Sequence, residues 1–410
     1  MKNGAKIENA YVAAMADEAN YSAPDYTYPN GKSNGDGVDE HGGGIIQVQF
    51  SETNPDSVTN CRKGISFGPY HSPLVSGVEP ANKSYIYGCV FRNTGYLNPP
   101  YQDAYSMDFI SMWNVHGIGI SGNKFFGPTG VNQSVSQVKA ITSTDADYIV
   151  GDYCISQNLP CTDVQHTEFH DLFRGVYSVV ADPGAAARLL QVSNCTFDNV
   201  RRSVYLSGHQ NADVIFNTIN LNQTSNDTSY GIYTNGCTFY TIEENTISGA
   251  ASIRPFSYGI IIINNSVSAG NVNDDNLVYK NFLNNLQYGT VSMQRNANTT
   301  TGPESGFHGL EFRCNECRNV KYSIAAFPIP NSNQKATLKF AQGSSSDPAG
   351  NYFELNTGQY SLFKQQIPDP IYYYHNLANY NPTNYLYPHF TPSTTTITTV
   401  SCPSHLQGLS

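Results

Sequence analysis

A short phrase recurs along the chain and constrains the fold more than any other feature of the sequence. In each copy a polar residue, often Asn, stands two positions before an apolar residue, and a Gly-led apolar strand follows. The apolar residues define a series of marker positions, which are Val58, Phe91, Phe125, Phe169, Phe197, Ile219, Ile247, Phe282 and Cys317. Their spacing ranges from 22 residues, between Phe197 and Ile219, to 44, between Phe125 and Phe169. Unequal intervals above such a minimum predict a solenoid whose turns accept insertions.

The second half of each repeat is also regular. It reads RGVYSV, RSVYLS, YGIYTN, YGIIII and YGTVSM in successive copies, beginning at residues 174, 202, 230, 258 and 288. Strand alternation places the branched residues Val176, Val204, Ile232 and Ile260 on an inner face. It places Tyr177, Tyr205 and Tyr233 on the opposite face. The Gly in most copies fits a tight corner where a Cβ would clash.

Composition agrees with an all-β chain. Only 13% of the residues are charged, whereas Gly, Asn, Ser, Thr and Tyr are abundant. We therefore predict a single-stranded right-handed parallel β-helix over residues 1–345, with an inserted loop at about 16–42. Residues 346–410 are rich in Tyr, Asn, Pro and Thr, which predicts an irregular extension and linker. Because Ile7 already occupies a marker position, we expect the chain to be a fragment of a longer protein.

Charge and hydropathy exclude two classes of partner. A net charge of −10 without clustered Lys and Arg argues against nucleic acid as a partner. No apolar run approaches the length of a membrane span, so membrane insertion is not expected. The first 15 residues also lack the apolar core of a signal peptide.

Asn and Cys residues suggest internal structure. Asn123, Asn217, Asn245 and Asn315 all lie two residues before a marker, and Cys89 and Cys195 take the same place. We expect an amide ladder inside the stack; the alternative is a track of ligand-binding amides. Cys154 and Cys161 bracket a short loop that a disulfide would close. Cys314 and Cys317 form a CxxC, but no nearby Cys or His completes a zinc site, so neither a metal nor a cofactor is expected.

Several motifs resemble those of a known superfamily. They are GGGIIQV before TNCRKGISF, SMWNVHGIGISGNKF, the pair around Cys154 and Cys161, GLEFRCNECRNVKYSI and GSSSDPAGNYF. With these motifs the chain resembles the pectin-lyase-like β-helix superfamily, and more closely the large β-helix proteins of Bacteroidota exported by the type IX system. The resemblance implies a secreted or cell-surface location.

Catalytic motifs of that superfamily do not carry over. A polygalacturonase-like enzyme has NTD, DD, GHG and RIK in that order. This chain has GHQ at 208–210 and Asp274 with Asp275 far downstream, in reverse order and without RIK. No pectate-lyase-like calcium motif is present either.

Two candidate sites remain. In HTEFHD, alternation predicts that His166, Glu168 and His170 project outward together, where they could perform acid–base chemistry or hold a divalent metal. The alternative is an ordinary solvated strand face. Carboxylate pairs at Asp145 and Asp147, Glu243 and Glu244, and Asp274 and Asp275 are weaker candidates, because sequence does not set their separation.

The other candidate is a tyrosine row. Tyr177, Tyr205 and Tyr233 should stack at strand spacing and could bind sugar rings, or could instead be a packing ladder under a loop. We therefore expect a secreted or cell-surface protein that binds polysaccharide or a cell-surface glycan through these tyrosines. The alternatives are a carbohydrate-active enzyme, either a polysaccharide lyase or a glycoside hydrolase, and a passive structural stalk.

Overall fold

The architecture was analysed in a computed structural model. The structure describes residues 5–8, 10, 12–16, 46–48, 55–68, 84–98, 104–156, 160–185, 188–222, 227–264, 276–294, 296–297, 309–327, 338–339, 341–344, 346–364, 371–374, 377, 379–386, 391–394 and 402–406. The predicted inserted loop at 16–42 falls almost wholly outside them.

Three long sheets, all with parallel strands, build the molecule. Sheet A contains Lys6–Glu8, Ser57–Thr59, Val90–Arg92, Lys124–Phe126, Glu168–His170, Thr196–Asp198, Thr218–Leu221, Thr246–Gly249, Phe282–Asn284, Glu316–Arg318 and Tyr352–Glu354. Sheet B contains Val12–Ala16, Lys63–Phe67, Asp108–Trp113, Lys139–Thr144, Arg174–Val179, Arg202–Ser207, Ser229–Asn235, Ser257–Ile263, Tyr288–Met293, Tyr322–Phe327, Tyr360–Lys364 and Tyr385–Leu386. Sheet C contains Gln47–Val48, Tyr85–Tyr87, Ile118–Ser121, Tyr148–Gly151, Leu190–Ser193, Ala212–Ile215, Thr241–Glu243, Leu277–Tyr279 and Glu311–Arg313.

Smaller elements decorate this stack. Tyr153–Cys154 and Val164–Gln165 pair antiparallel, and Ala341–Gln342, Ile371–Tyr374 and Thr391–Thr394 form a separate parallel sheet. One helical turn spans Gln133–Ser136 and a 3₁₀ turn spans Pro183–Ala185.

The chain visits the sheets in the order C, A, B and then begins the next coil. Consecutive strands in each sheet therefore belong to consecutive coils, and each coil rests on the one before it. This is the right-handed parallel β-helix that the repeat predicts, since crossovers between parallel strands are right-handed.

One inward column of sheet A contains the markers. Phe91, Phe125, Phe169 and Phe197 stack face to face with ring centroids 4.4 to 5.0 Å apart. The whole column reads Ile7, Val58, Phe91, Phe125, Phe169, Phe197, Ile219, Ile247, Leu283, Cys317 and Phe353. Each apolar side chain thus packs on the same position of its neighbours, which confirms the predicted stack.

The predicted marker Phe282 is wrong by one residue. Leu283, not Phe282, pairs with Ile247 and Cys317 and is fully buried. Phe282 projects outward between Thr246 and Glu316 because neighbouring residues of a strand face opposite sides.

The turn between sheets C and A carries a buried amide ladder. Asn245 donates from Nδ2 to the carbonyl of Val214 and to Oδ1 of Asn281, at 2.8 and 2.9 Å. Its own Oδ1 accepts from the backbone N–H and the Nδ2 of Asn217. Asn281, Asn315 and Asn351 continue the pattern, and Asn217 caps the backbone of Cys195. The structural interpretation of the Asn row is therefore confirmed.

The corner between sheets A and B is crowded. A Cβ on Gly259 would lie 2.6 Å from the carbonyl oxygen of Gly289, and one on Gly175 would lie 2.6 Å from that of Ser203. These contacts are too short for real Cβ atoms. The glycines are needed here for close approach of successive coils, as the sequence indicated.

The coils continue past residue 345. Tyr352–Glu354 joins sheet A, and Tyr360–Lys364 joins sheet B. Asn351 continues the amide ladder in the turn before sheet A. Residues 346–364, which we assigned to an irregular extension, thus supply another turn of the stack. The marker of this turn is Phe353, which the sequence analysis did not assign because the segment is rich in Tyr and Asn.

Two disulfides are formed. Cys154 pairs with Cys161, as predicted, and Cys314 pairs with Cys402, which is 88 residues away. The two cysteines of the CxxC motif therefore have different roles: Cys314 forms a disulfide, and Cys317 is a free thiol buried in the core.

The second disulfide holds a segment, residues 402–406, against the outer face of sheet C; we name it the C-terminal strap. In the strap His405 stacks on Tyr279 at 4.1 Å and donates its backbone N–H to Glu243 Oε1 at 2.9 Å. Tyr279 in turn donates its hydroxyl to the carbonyl of Pro403.

Candidate functional site

The outer face of sheet B carries the predicted tyrosine row. Tyr177, Tyr205 and Tyr233 are in register on three successive coils. Their rings stack with centroids 4.7 and 4.9 Å apart, which is the strand spacing expected for aligned side chains. All three side chains are partly exposed. The pKa of Tyr233 is raised, mainly by partial burial and to a smaller extent by the neighbouring Tyr205. The predicted stacking is confirmed; we name these three residues the tyrosine platform.

A second tyrosine column runs beside the platform, and the sequence analysis missed it. Tyr258, Tyr288, Tyr322 and Tyr360 stack at 4.7, 5.1 and 5.6 Å along later coils. Burial raises the pKa of Tyr288 to about 12. Two of these residues, Tyr258 and Tyr288, begin YG phrases, so the sequence carried a signal for part of the column.

The platform column becomes aliphatic beyond Tyr233. Ile261, Val291 and Ala325 occupy the same register and are buried, although this face of the sheet points away from the core. They form an apolar cluster separate from the interior, and the tyrosines that pack against it include Tyr205, Tyr233, Tyr258, Tyr288 and Tyr322. On the coils after Tyr233, the outer face of sheet B therefore carries this aliphatic column beside the second tyrosine column.

The platform is bordered by basic residues. The guanidinium carbon of Arg174 lies 4.2 Å from the ring centroid of Tyr177, and Arg202 follows in register on the next coil. On the two preceding coils their column contains Asp108 and Lys139, which form an ion pair at 3.1 Å.

The structure separates the three residues of the predicted acid–base cluster. Glu168 and His170 project outward from sheet A and contact each other at 3.1 Å, whereas His166 pairs with Asp152 at 2.8 Å. Alternation fails at His166 because the strand begins only at Glu168. The preceding Thr167 is buried in the turn, where its hydroxyl donates to the carbonyl of Gly151.

Charges around Glu168 are compensated. Burial acts to raise its pKa, but hydrogen bonds from His170 and Lys124 outweigh burial and lower it. Among the described residues no three His, Cys, Asp or Glu side chains are grouped to hold a metal ion. This part of sheet A has the contacts of a paired, solvated strand face.

The carboxylate pairs have structural partners. Asp145 accepts from the backbone N–H groups of Ala181 and Asp182, at 2.7 and 2.9 Å, whereas Asp147 contacts His116 and the N–H of Gly117. The two carboxylates thus serve different turns. Glu243 binds the C-terminal strap, and Glu244 pairs with Lys280 at 3.0 Å. Asp274 and Asp275 lie outside the described residues.

The His of the GHQ motif is an interior residue. His209 is fully buried, and its Nε2 shares a 2.9 Å hydrogen bond with the hydroxyl of Ser178. Burial lowers its pKa to about 4. An inaccessible, neutral imidazole cannot act on an external substrate.

A groove of about 450 Å³ opens on the outer face of sheet C. Tyr85 and Tyr87 stack in its wall at 4.5 Å, and Ile149 and Leu189 expose apolar surface nearby. Gly119 lies in register between Tyr85 and Ile149, and the side chain of Tyr87 lies over it, since a Cβ at Gly119 would be 2.9 Å from the hydroxyl oxygen of Tyr87. This groove is a second aromatic surface, on a different side of the solenoid from the platform.

No protein-family model matches the chain, and neither the curated proteins nor the solved structures give a significant match. Within the described ranges, no helix has the length and apolar character needed to cross a membrane.

Proposed function

We propose that the protein binds polysaccharide or a cell-surface glycan along the outer face of sheet B. The observation that carries this proposal is the stack of Tyr177, Tyr205 and Tyr233, with centroids 4.7 and 4.9 Å apart on partly exposed strands. Because the rings stack face to face, together they offer a sugar a ridge of apolar ring edges and a row of hydroxyls that can remain hydrated. The repeat at fixed spacing suits a polymer better than a single sugar.

We also propose that the protein is secreted or held at a cell surface. Two disulfides support this location, since such bonds persist in oxidising compartments. Export by a route like that of the type IX cargo of Bacteroidota belongs to the same proposal, on the strength of the sequence motifs quoted above.

Replacing Tyr177, Tyr205 and Tyr233 together by Ala tests the binding proposal. If each ring contributes on the order of 1 kcal/mol, the variant should bind polymers far more weakly than the parent, and long chains should lose more than short ones. Affinity electrophoresis in gels containing individual polysaccharides measures both effects.

Tyr85 and Tyr87, replaced by Ala, form the matched control, because this pair is stacked in the same way but lies on sheet C. Loss of binding in the control with unchanged binding in the triple variant would contradict the proposal and place the ligand in the groove of sheet C. An assay for reducing ends and unsaturated products on every bound polymer tests the enzyme alternative.

A further inference from the structure

Among the residues that the structure describes, two arginines on sheet B have no carboxylate as a partner. Arg174 and Arg202 are in register on adjacent coils, so their backbones are separated by roughly 4.8 Å, the strand spacing. Both guanidinium groups lie against the ring of Phe173, with their carbons 5.3 and 4.9 Å from its centroid. Two like charges are thereby held side by side at the edge of the tyrosine platform.

Neighbouring cations are neutralised, in contrast to this pair. Lys139, one coil earlier in the same column, is paired with Asp108 at 3.1 Å. Arg201, which also approaches Phe173, is paired with Asp227 at 3.3 Å. Within the described part of the chain, no carboxylate lies within ion-pair distance of Arg174 or Arg202.

The Nε atoms of Arg174 and Arg202 also lack partners within the described ranges. Both are buried and have no hydrogen-bond partner among the described residues, so an external anion would meet the other N–H groups of each guanidinium. A buried donor without a partner is unfavourable, and adjacent like charges add to the cost. The outer N–H groups of a guanidinium are complementary to a planar or tetrahedral oxyanion, which would also balance its charge.

We infer that Arg174 and Arg202 bind the acidic groups, carboxylate or sulfate ester, of a sugar chain whose rings pack on the tyrosine platform. This inference rests on the proposed function and names the class of its ligand, an anionic polysaccharide. Arg174 links the two parts of the site, since its guanidinium already lies over the face of Tyr177 at 4.2 Å. The acidic group would bind at the basic edge while the ring lies on the aromatic surface beside it.

Polymers that differ only in charge test the inference. Polygalacturonate is compared with the same polymer after reduction of its carboxylates to alcohols, and dextran sulfate is compared with dextran. The parent protein should bind the charged member of at least one pair about tenfold more tightly, as expected for two charge-assisted hydrogen-bonded contacts. A preference confined to the first pair identifies a carboxylate, and one confined to the second identifies a sulfate ester.

The variant with Arg174→Gln and Arg202→Gln should lose the preference for charged polymer and keep the binding of the neutral one. Arg92→Gln with Arg318→Gln removes the same charge from the outer face of sheet A and should keep the preference. Arg174→Lys with Arg202→Lys should give an intermediate value, because the charge remains but the fork is lost. Unchanged preference in the Gln variant, or equal loss in the sheet A control, would overturn the inference.

A second readout separates this inference from the proposed function. If the parent binds no polymer, the proposed function fails, and the arginine site is judged by titrating sulfate and galacturonate while following the Nε–H signals of Arg174 and Arg202 by NMR. Shifts of these two signals, absent in the Gln variant, keep the anion site. Signals that do not move in the millimolar range reject it.

Discussion

His209 shows how a buried polar residue is tolerated inside the solenoid. It ends an interior chain of hydrogen bonds in which Tyr148 contacts Ser143, Ser143 donates to Ser178, and Ser178 contacts His209. The Nδ1 atom of His209 is buried without a partner. Protonation would therefore place an uncompensated charge in the core, which is why burial lowers the pKa.

We expect acid to destabilise the protein through His209. Its pKa is about 4 in the folded state against an ordinary value of 6.5, so the unfolded state takes up the proton first as the pH falls. Stability is then lost between pH 6.5 and about 4, by roughly 3 kcal/mol. His209→Gln should flatten this part of the curve of unfolding free energy against pH. An equal slope in parent and variant would contradict the assignment.

The sequence was ambiguous about which of two adjacent apolar residues faces the interior. Phe282 and Leu283 are adjacent and both apolar, so hydrophobicity alone could not decide which faces inward. The Asn two positions earlier decides it, because Asn281 continues the ladder only if Leu283 is the marker. A one-residue error exchanged the faces of the strand, and it also concealed Asn281.

At the scale of an element, the asparagine ladder is the most regular feature of the turns. Each ladder side chain joins the coils on either side of it and satisfies backbone groups that the turn leaves without a strand partner. The residue before it often has a positive φ, as at Gly122, Glu244 and Lys280. The turn thus depends on the ladder residue more than on its neighbours.

Asn245→Ala should therefore destabilise the protein strongly. It leaves the backbone N–H of Asn217 and the carbonyl of Val214 without their side-chain partners in a buried site. We expect a loss of about 2 to 4 kcal/mol, measured by denaturant unfolding. Asn220→Ala is the matched control, since Asn220 lies on the outer face of sheet A, and it should change stability by less than about 0.5 kcal/mol. Similar losses in both variants would refute the ladder's role.

Periodicity predicted the elements well where strands are long enough to alternate. The inner and outer faces of Arg174–Val179 and Arg202–Ser207 are as expected, because the interior requires Val176 and Val204 to stack. It failed at His166, which lies in a turn before a strand of only three residues, Glu168–His170. Short strands leave their flanking residues outside the rule of alternation.

For the whole molecule, the repeat was sufficient to predict the solenoid but not its C-terminal closure. The link between Cys314 and Cys402 depends on the path of the chain after the last coils, and sequence spacing carries no information about that path. The strap that it holds also covers Glu243, a carboxylate that the sequence offered as a catalytic candidate. The pKa of Glu243 is raised because burial outweighs the contacts with His405, which act in the opposite direction.

Removing this disulfide should cost more stability than removing the other one. Cys314→Ser with Cys402→Ser opens a loop of 88 residues, for which chain entropy predicts a loss of about 4 to 5 kcal/mol. Cys154→Ser with Cys161→Ser opens a separation of only 7 residues and should cost about half as much. Thermal unfolding measures both. Hydrogen exchange should also increase at Thr241–Glu243 and Leu277–Tyr279 only in the first variant, and equal exchange in the two variants would contradict the proposed docking of the strap.

The same disulfide determines where tension would enter the solenoid. Coils of a β-helix are joined by parallel hydrogen bonds, so a pull on the last strand would peel the stack open one coil at a time. A pull applied beyond Cys402 instead reaches Cys314 directly through a covalent bond. The chain between these residues, including Tyr352–Glu354 and Tyr360–Lys364, then bears no load. The disulfide therefore takes the last coil out of the load path and delivers the pull to the end of Glu311–Arg313, the terminal strand of sheet C.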